Sequence, residues 1–138
     1  MHLGASVNGV TRSMGVALTS CTVPAVGKPT FDIAGDEMEV GVGIHGEPGR
    51  RRVALTPADE IAEELVHAIV DDLDARSSSE VLLMVNGLGA TPLLDLHVMY
   101  DAASRPLAKR GLEVRRSIVG NYVTSLDMAG CSITVVMT

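Results

Sequence analysis

A single histidine framed by glycines is the side chain best placed for chemistry. Residues 41–49 read Gly-Val-Gly-Ile-His-Gly-Glu-Pro-Gly. A neutral imidazole keeps one nitrogen lone pair free, so His45 could act as a base, a nucleophile or a ligand. Gly46 has no side chain and lets another molecule approach the ring closely, while Glu47 could orient the second ring nitrogen or simply face water. The alternative is a hairpin tip with an incidental histidine.

Two further glycine-bearing loops could hold a ligand. Residues 86–89, Asn-Gly-Leu-Gly, form a strand-to-helix turn whose amides could bind an anion, although the turn lacks the lysine and spacing of a phosphate-binding loop. In residues 120–130, Thr124, Ser125 and Asp127 could contact a ligand or could equally satisfy their own loop. The spacing indicates neither a Ser-His-Asp triad nor a metal cluster.

The elements that position these loops follow from apolar periodicity. We predict strands over residues 13–22, near Phe31 and Ile33, and over 37–44, 80–86, 112–119 and 132–137. The second and third of these would form a hairpin, and residues 80–86 would be a central strand buried on both faces. Residues 1–12 contain no convincing element. The arginines at 50–52 suggest a solvated loop or, alternatively, a local contact to an anion or a partner.

Two helices separate the later strands. Thr56-Pro57 and Thr91-Pro92 are both typical of helix starts, because threonine caps and proline suits the first turn. The first helix would bury one apolar face between residues 61 and 73. The second would run to about Lys109, with His97 packing beside a core side formed by Leu93, Leu96, Tyr100, Ala103 and Leu107. We therefore predict an α/β domain, with a mixed sheet carrying its helices mainly on one face.

Composition narrows the classes of function. The 138 residues suffice for one domain with an aliphatic core, since 46% are hydrophobic and 2% aromatic. With 11 basic against 17 acidic residues, the net charge of −6 argues against a nucleic-acid binder. The sequence has neither an 18-residue apolar run nor a signal-peptide pattern, so we expect no membrane association and a cytoplasmic location. Cys21 and Cys131, at no metal-like spacing, are expected to be buried reduced thiols.

Four motifs in order resemble the second half of the substrate-binding K subunit, or K domain, of dihydroxyacetone kinases. They are Gly-Val-Ala-Leu at 15–18 with Cys-Thr-Val-Pro-Ala at 21–25 and Gly-Lys-Pro at 27–29; Glu-Met-Glu at 37–39 leading into Gly-Ile-His-Gly-Glu-Pro-Gly at 43–49; Asn-Gly-Leu-Gly-Ala-Thr-Pro-Leu at 86–93; and Thr-Ser-Leu-Asp-Met-Ala-Gly at 124–130. The likeness covers nearly the whole chain. It implies a two-layer α/β domain with a mixed sheet of about six strands.

The resemblance also implies a chemistry for the histidine. In that family the histidine of this motif bonds covalently to the C2 carbonyl of dihydroxyacetone as a hemiaminal, and the matching position is His45. Gly46, Glu47, Thr124 and Ser125 are the accompanying candidates for substrate contact. The resemblance implies no cofactor or metal on this chain, because ATP-Mg or a phosphoenolpyruvate-driven relay supplies phosphate from a separate L domain or subunit.

The chain differs from the family in extent. The family's first domain, with its glycine-rich substrate loop and aspartate base, has no match here, so residues 1–138 correspond to the second domain and we expect them to be inactive alone. The full-length family proteins are homodimers, which implies the same here. An alternative function is a non-catalytic module that senses ketoses or binds a partner.

Overall fold

The structure, a computed structural model, describes residues 2–29, 31–44, 49–73, 75 and 79–138. The strands are β1 (Thr11–Ala17), β2 (Glu37–Val40), β3 (Arg51–Ala54), β4 (Glu80–Gly87), β5 (Glu113–Gly120) and β6 (Gly130–Met137), and the helices are α1 (His2–Gly9), α2 (Ala58–Leu73) and α3 (Leu93–Lys109). The strands form one sheet in the order β3-β2-β1-β6-β4-β5. Only β4 and β5 pair in parallel, and the other neighbours are antiparallel. The predicted α/β class with a six-stranded mixed sheet is confirmed.

The main core lies between the sheet and helices α2 and α3. Buried apolar residues recur on one side of each helix and at every second position of the strands, as amphipathic elements require. On the sheet side they are Val16, Met38, Val40, Val81, Leu83, Val85, Cys131, Ile133 and Val135. Helices α2 and α3 also pack against each other. The core is therefore aliphatic, as the composition predicts.

The opposite side of the sheet, which we call the open face, carries the alternate residues of the same strands. Along β6, Ser132, Thr134 and Val136 are half-buried where their neighbours are buried. A smaller apolar cluster covers one end of this face and is formed by Ala17, Cys21, Val42, Leu88 and Met128. The open face therefore combines hydroxyl-bearing positions with a local apolar patch.

Several predictions about individual elements were wrong. Residues 2–9 form helix α1, in which no residue is buried. The predicted strand near Phe31 and Ile33 is absent, since the described residues 31–36 form no strand and an isolated bridge joins Thr22 to Pro29 just before them. The arginine run enters strand β3, which pairs with β2, so the observed hairpin is β2–β3. Charged side chains can occupy a strand that has one solvated face.

Burial also differs from the prediction in two places. Strand β4 lies second from the edge of the sheet, and its open-face residues Leu82 and Met84 are only half-buried. In α3, Leu93 is 54% exposed and His97 is exposed as well. The prediction holds for Leu96, Ala103 and Leu107, which are buried, so the core side of α3 differs from the predicted one mainly in the first turn of the helix.

Candidate functional site

The predicted histidine loop is the connection between strands β2 and β3. On the outgoing side, the Gly41 N–H donates to the Gly15 carbonyl at 2.7 Å, and on the return side the Arg50 N–H donates to the Val40 carbonyl at 2.7 Å. The two ends of this connection, residues 41–50, are thus held against neighbouring strands. His45, Gly46 and Glu47 lie outside the described residues, so their predicted roles stay predictions.

A cavity of about 400 Å³ opens on the open face beside this connection. Gly41, Val42, Gly43 and Ile44 line it from the outgoing side of the connection, and Arg50 lines it from the return side. The residues that flank the undescribed segment therefore lie on the wall of the cavity. We call it the open-face cavity.

The sheet contributes a polar wall to the open-face cavity. Ser13, Ser132, Thr134 and Asn86 line it, and the Thr134 hydroxyl donates to the Ser13 hydroxyl at 2.9 Å. Met84 and Leu88 add apolar surface. Hydroxyl and amide groups arranged over a partly apolar wall suit a small ligand that carries several hydroxyl groups.

A buried carboxylate lies beneath the 41–50 connection. Glu39 is only 8% exposed and sits between the buried core residues Met38 and Val40. Its Oε1 accepts a hydrogen bond from the Gly49 N–H at 2.7 Å, and its Oε2 accepts one from Arg52 Nη2 at 3.0 Å. The hydrogen bond from Arg52 lowers the pKa of the Glu39 carboxyl, burial acts in the opposite direction, and the Gly49 N–H lowers it further. The carboxylate form is favoured.

Asn86, at the end of β4, organises the loop on the far side of the cavity. It is 2% exposed. Its Oδ1 accepts hydrogen bonds from the N–H groups of Tyr122 and Val123 at 2.9 and 2.8 Å, and its Nδ2 donates to the Val123 carbonyl at 2.8 Å. Because Val123 lines the cavity, the side chain of Asn86 determines where that part of the wall lies.

The sequence candidates Thr124 and Ser125 follow Val123 directly. Thr124 is exposed, and Ser125 is buried with its N–H donating to the Leu88 carbonyl at 2.7 Å. Neither belongs to the described lining of the open-face cavity, whereas their neighbour Val123 does. The structure therefore brings Thr124 and Ser125 near the cavity but leaves their contact with a ligand as a prediction.

Asp127, in the same loop, has a structural partner. Its Oδ1 accepts a hydrogen bond from the Thr22 N–H at 2.7 Å, which lowers the pKa of the Asp127 carboxyl. The bond ties residues 121–129 to the segment after β1. Asp127 acts here as an acceptor that joins two loops.

The turn after β4 is a tight turn and has little capacity to bind an anion. The Leu88 N–H donates to the Gly130 carbonyl at 3.2 Å, and the Ala90 N–H donates to the Met128 carbonyl at 3.0 Å. Thr91, the predicted helix cap, exchanges two hydrogen bonds with the backbone of Gly130 instead. These amides already have partners within the protein and do not point to a phosphate site.

The two cysteines agree with the sequence analysis. Cys21 and Cys131 are buried and form no disulfide, and burial raises the pKa of the Cys131 thiol to about 12, so it stays protonated. Within residues 2–29, 31–44, 49–73, 75 and 79–138, no group of three or more His, Cys, Asp or Glu side chains could hold a metal ion. In the same residues no helix is long and apolar enough to cross a membrane.

Sequence reasoning did not assign structural roles to Glu39 or to the side chain of Asn86. Each carries a signal that could have been used. Glu39 is a charged residue between two apolar ones in an alternating strand, and Asn86 ends an apolar run at the position where a polar side chain must find partners. Their partners are distant in sequence, so only the folded chain identifies them.

The whole chain, residues 1–138, matches the family model described as the Dak1 domain. It is 42% identical over 129 residues to the PTS-dependent dihydroxyacetone kinase 2, dihydroxyacetone-binding subunit DhaK, of Listeria innocua. That match covers 94% of this chain and 39% of the relative, so the chain spans well under half of the relative's length.

Solved structures of two kinds share the fold. One is described as the dihydroxyacetone kinase operon co-activator Dha-DhaQ, with a TM-score of 0.90, 36% identity, and coverage of 98% of this chain and 42% of the other. The second is the dihydroxyacetone kinase from C. freundii in complex with AMP-PNP and Mg²⁺, with a TM-score of 0.73, 28% identity, and coverage of 96% and 24%. The resemblance stated from the motifs is confirmed.

Proposed function

Since the chain belongs to the Dak1 domain family, we propose that it binds dihydroxyacetone or a similar short ketose as part of a dihydroxyacetone kinase. The observation that carries this proposal is the open-face cavity, which is lined by residues on both sides of the histidine-bearing segment. Its hydroxyl and amide lining suits a small polyol. The name of the Listeria innocua relative, a dihydroxyacetone-binding subunit, supports the same substrate.

His45 is the proposed covalent anchor. A neutral imidazole nitrogen adds to the C2 carbonyl of the ketose, so a C–N bond forms and the C=O π bond opens. The oxygen takes up a proton, the imidazolium gives up the proton from its other nitrogen, and no water leaves. The product is a hemiaminal that contains the whole ketose. Glycerol has no carbonyl group to attack, so this chemistry selects ketoses over the corresponding alcohol.

The remaining substrate contacts and the phosphoryl donor follow from the same proposal. Gly46 leaves room beside the ring, and Glu47, Thr124 and Ser125 are candidates to contact the hydroxyl groups of the ketose. Phosphate would reach the terminal hydroxyl from ATP-Mg, or from a phosphoenolpyruvate relay, on an L domain or subunit. Residues 1–138 would form the second domain of a K subunit, with the aspartate base on a first domain, and the full-length protein would be a homodimer.

The test of the anchor is intact-mass spectrometry with dihydroxyacetone. We expect a mass increase of one intact ketose, lost in His45→Ala. His97→Ala is the matched control, because His97 is exposed on α3 and is not among the described residues that line the open-face cavity. Labelling should weaken at acidic pH, since an ordinary histidine takes up a proton around pH 6.5. An adduct that survives His45→Ala, or one that forms equally with glycerol, would refute the proposed chemistry.

A second candidate function is ketose sensing without catalysis. The observation that favours it is the closer structural match to the operon co-activator, with a TM-score of 0.90 against 0.73 for the kinase. Ketose adduct formation combined with no turnover, even when the first domain and an L partner are supplied, would favour this function. Phosphorylation of dihydroxyacetone by the assembled system would favour the kinase.

A further inference from the structure

Glu39, on the β2–β3 hairpin, makes a contact that strand pairing alone does not explain. Glu39 and Arg52 are direct cross-strand partners in the β2–β3 register, so their ion pair alone would be an ordinary hairpin contact. The other carboxylate oxygen of Glu39 bonds outside this ion pair. It accepts a hydrogen bond from the N–H of Gly49, a residue outside both strands.

Gly49 is the first described residue after the segment that contains His45. Its backbone passes so close to Glu39 that an added Cβ would lie 2.5 Å from Glu39 Cγ and 2.7 Å from the Val40 carbonyl oxygen. The glycine therefore permits the close approach that the hydrogen bond needs. The next amide, that of Arg50, is held by the Val40 carbonyl, so two successive N–H groups bind to β2 at this point.

Placing a carboxylate at this position is costly unless it is paired. A buried charge loses its hydration and must be compensated by an opposite charge and by hydrogen bonds. Here Arg52 supplies the charge and Gly49 supplies the hydrogen bond. The other ion pair of this strand, between Arg51 and Glu64 on α2, is more exposed, since the arginine side chain is 53% exposed.

We propose that Glu39 is a positioning residue for the chemistry of His45, because it fixes the return of the 41–50 connection at Gly49, four residues after that histidine in the sequence. This inference rests on the proposed ketose chemistry of His45. A nucleophile must lie close to the C2 carbonyl and point toward it, and a displacement of about 1 Å can lower the rate about 100-fold. Glu39 acts through the backbone and touches no substrate.

Two conservative variants of Glu39 separate the effect of its side-chain length from the effect of its charge. Glu39→Gln keeps the length of the side chain and an oxygen that can accept from Gly49, but loses the charge that pairs with Arg52. Glu39→Asp keeps the charge and is one methylene shorter, so it cannot reach Gly49 from the same backbone position. If Glu39 positions Gly49, adduct formation should follow the order wild type, Gln, Asp; if only the ion pair matters, Asp should exceed Gln.

The measurements are the dihydroxyacetone concentration needed for half-maximal adduct, the urea unfolding curve, and hydrogen exchange of the Gly49 amide by NMR. We expect Glu39→Asp and Glu39→Ala to require at least about tenfold more dihydroxyacetone under conditions where they remain folded, with faster exchange at Gly49. Arg51→Ala is the control on the same hairpin. It should leave the half-maximal dihydroxyacetone concentration and the exchange rate of the Gly49 amide near those of the wild type. Adduct formation in folded Glu39→Asp equal to wild type, or equal loss in Arg51→Ala, would overturn the proposal.

Hydrogen exchange of the Gly49 amide can be measured without a ketose, so it tests the role of Glu39 separately from the role of His45. A wild-type protein that forms no adduct would refute the role of His45. In that case the exchange rate of the Gly49 amide in Glu39→Gln and Glu39→Asp still decides whether Glu39 holds Gly49. Equal protection in both variants would refute the hydrogen bond as the positioning contact.

Discussion

The side chain of Asn86 forms a pair of hydrogen bonds with the backbone of Val123, accepting from its N–H and donating to its carbonyl, each at 2.8 Å. This is the pattern that two paired β-strand residues use, supplied here by one amide side chain. It joins the end of β4 to a loop residue 37 positions away in sequence. Residue 123 thereby becomes part of the cavity wall.

We expect Asn86→Ala to lower the free energy of unfolding by about 1–3 kcal/mol. The substitution removes part-buried hydrogen bonds to the backbone of Tyr122 and Val123, and loss of such bonds costs about this much. Urea unfolding followed by circular dichroism measures the change. Asn8→Ala, in the exposed helix α1, is the matched control and should have little effect. An unchanged midpoint for Asn86→Ala would show that water replaces the side chain freely.

Leu83→Ala tests the position of the core. Leu83 is completely buried in β4 beneath the helices, so truncation should leave a cavity and cost about 2–5 kcal/mol. Leu94→Ala is the control, because Leu94 is 74% exposed on α3. Urea unfolding of both variants provides the comparison. Equal midpoints for the two would contradict the packing of α2 and α3 on this side of the sheet.

The pH dependence of stability should reflect Glu39. Arg52 and the Gly49 N–H hold the pKa of this carboxyl below its ordinary value of 4.5 in the folded state. The deprotonated form is therefore favoured by folding, and its contribution is present above pH 4.5 and is lost as the pH falls through the folded-state pKa. The difference in unfolding free energy between wild type and Glu39→Gln should be constant near neutral pH and narrow in acid. A difference in unfolding free energy that grows below pH 4.5 would contradict the lowered pKa of the Glu39 carboxyl.

The chain by itself should not phosphorylate dihydroxyacetone. Phosphoryl transfer needs a group to accept the hydroxyl proton and a site for the phosphates. His45 would be bound to the substrate carbonyl, Asp127 is engaged with Thr22, and the amides of the turn after β4 are bonded within the protein. A coupled assay with purified chain, each phosphoryl donor and an L partner should show no turnover. Turnover that depends on His45 without any further domain would contradict this prediction.

Much of the fold could be read from local pattern. The apolar stripe at residues 61–73 and the run at 81–85 specify α2 and β4, because burial of an amphipathic face dominates the stability of such elements. The family resemblance rests on long motifs in order, and the match to the Dak1 domain model confirms it. The prediction of a solvated loop at 50–52 failed because arginine is compatible with a strand whose side chains reach water.

The sequence by itself determined the class of the fold, the aliphatic core and the buried thiols. Only the tertiary structure decided that β2 pairs with β1 and β3, that Asn86 holds residue 123, and that Glu39 reaches Gly49. The physical reason is that periodicity reports which side of an element is buried, whereas hydrogen bonds between residues far apart in the chain depend on register and strand order. The wall of the open-face cavity is made of such long-range contacts, so it becomes visible only in the folded chain.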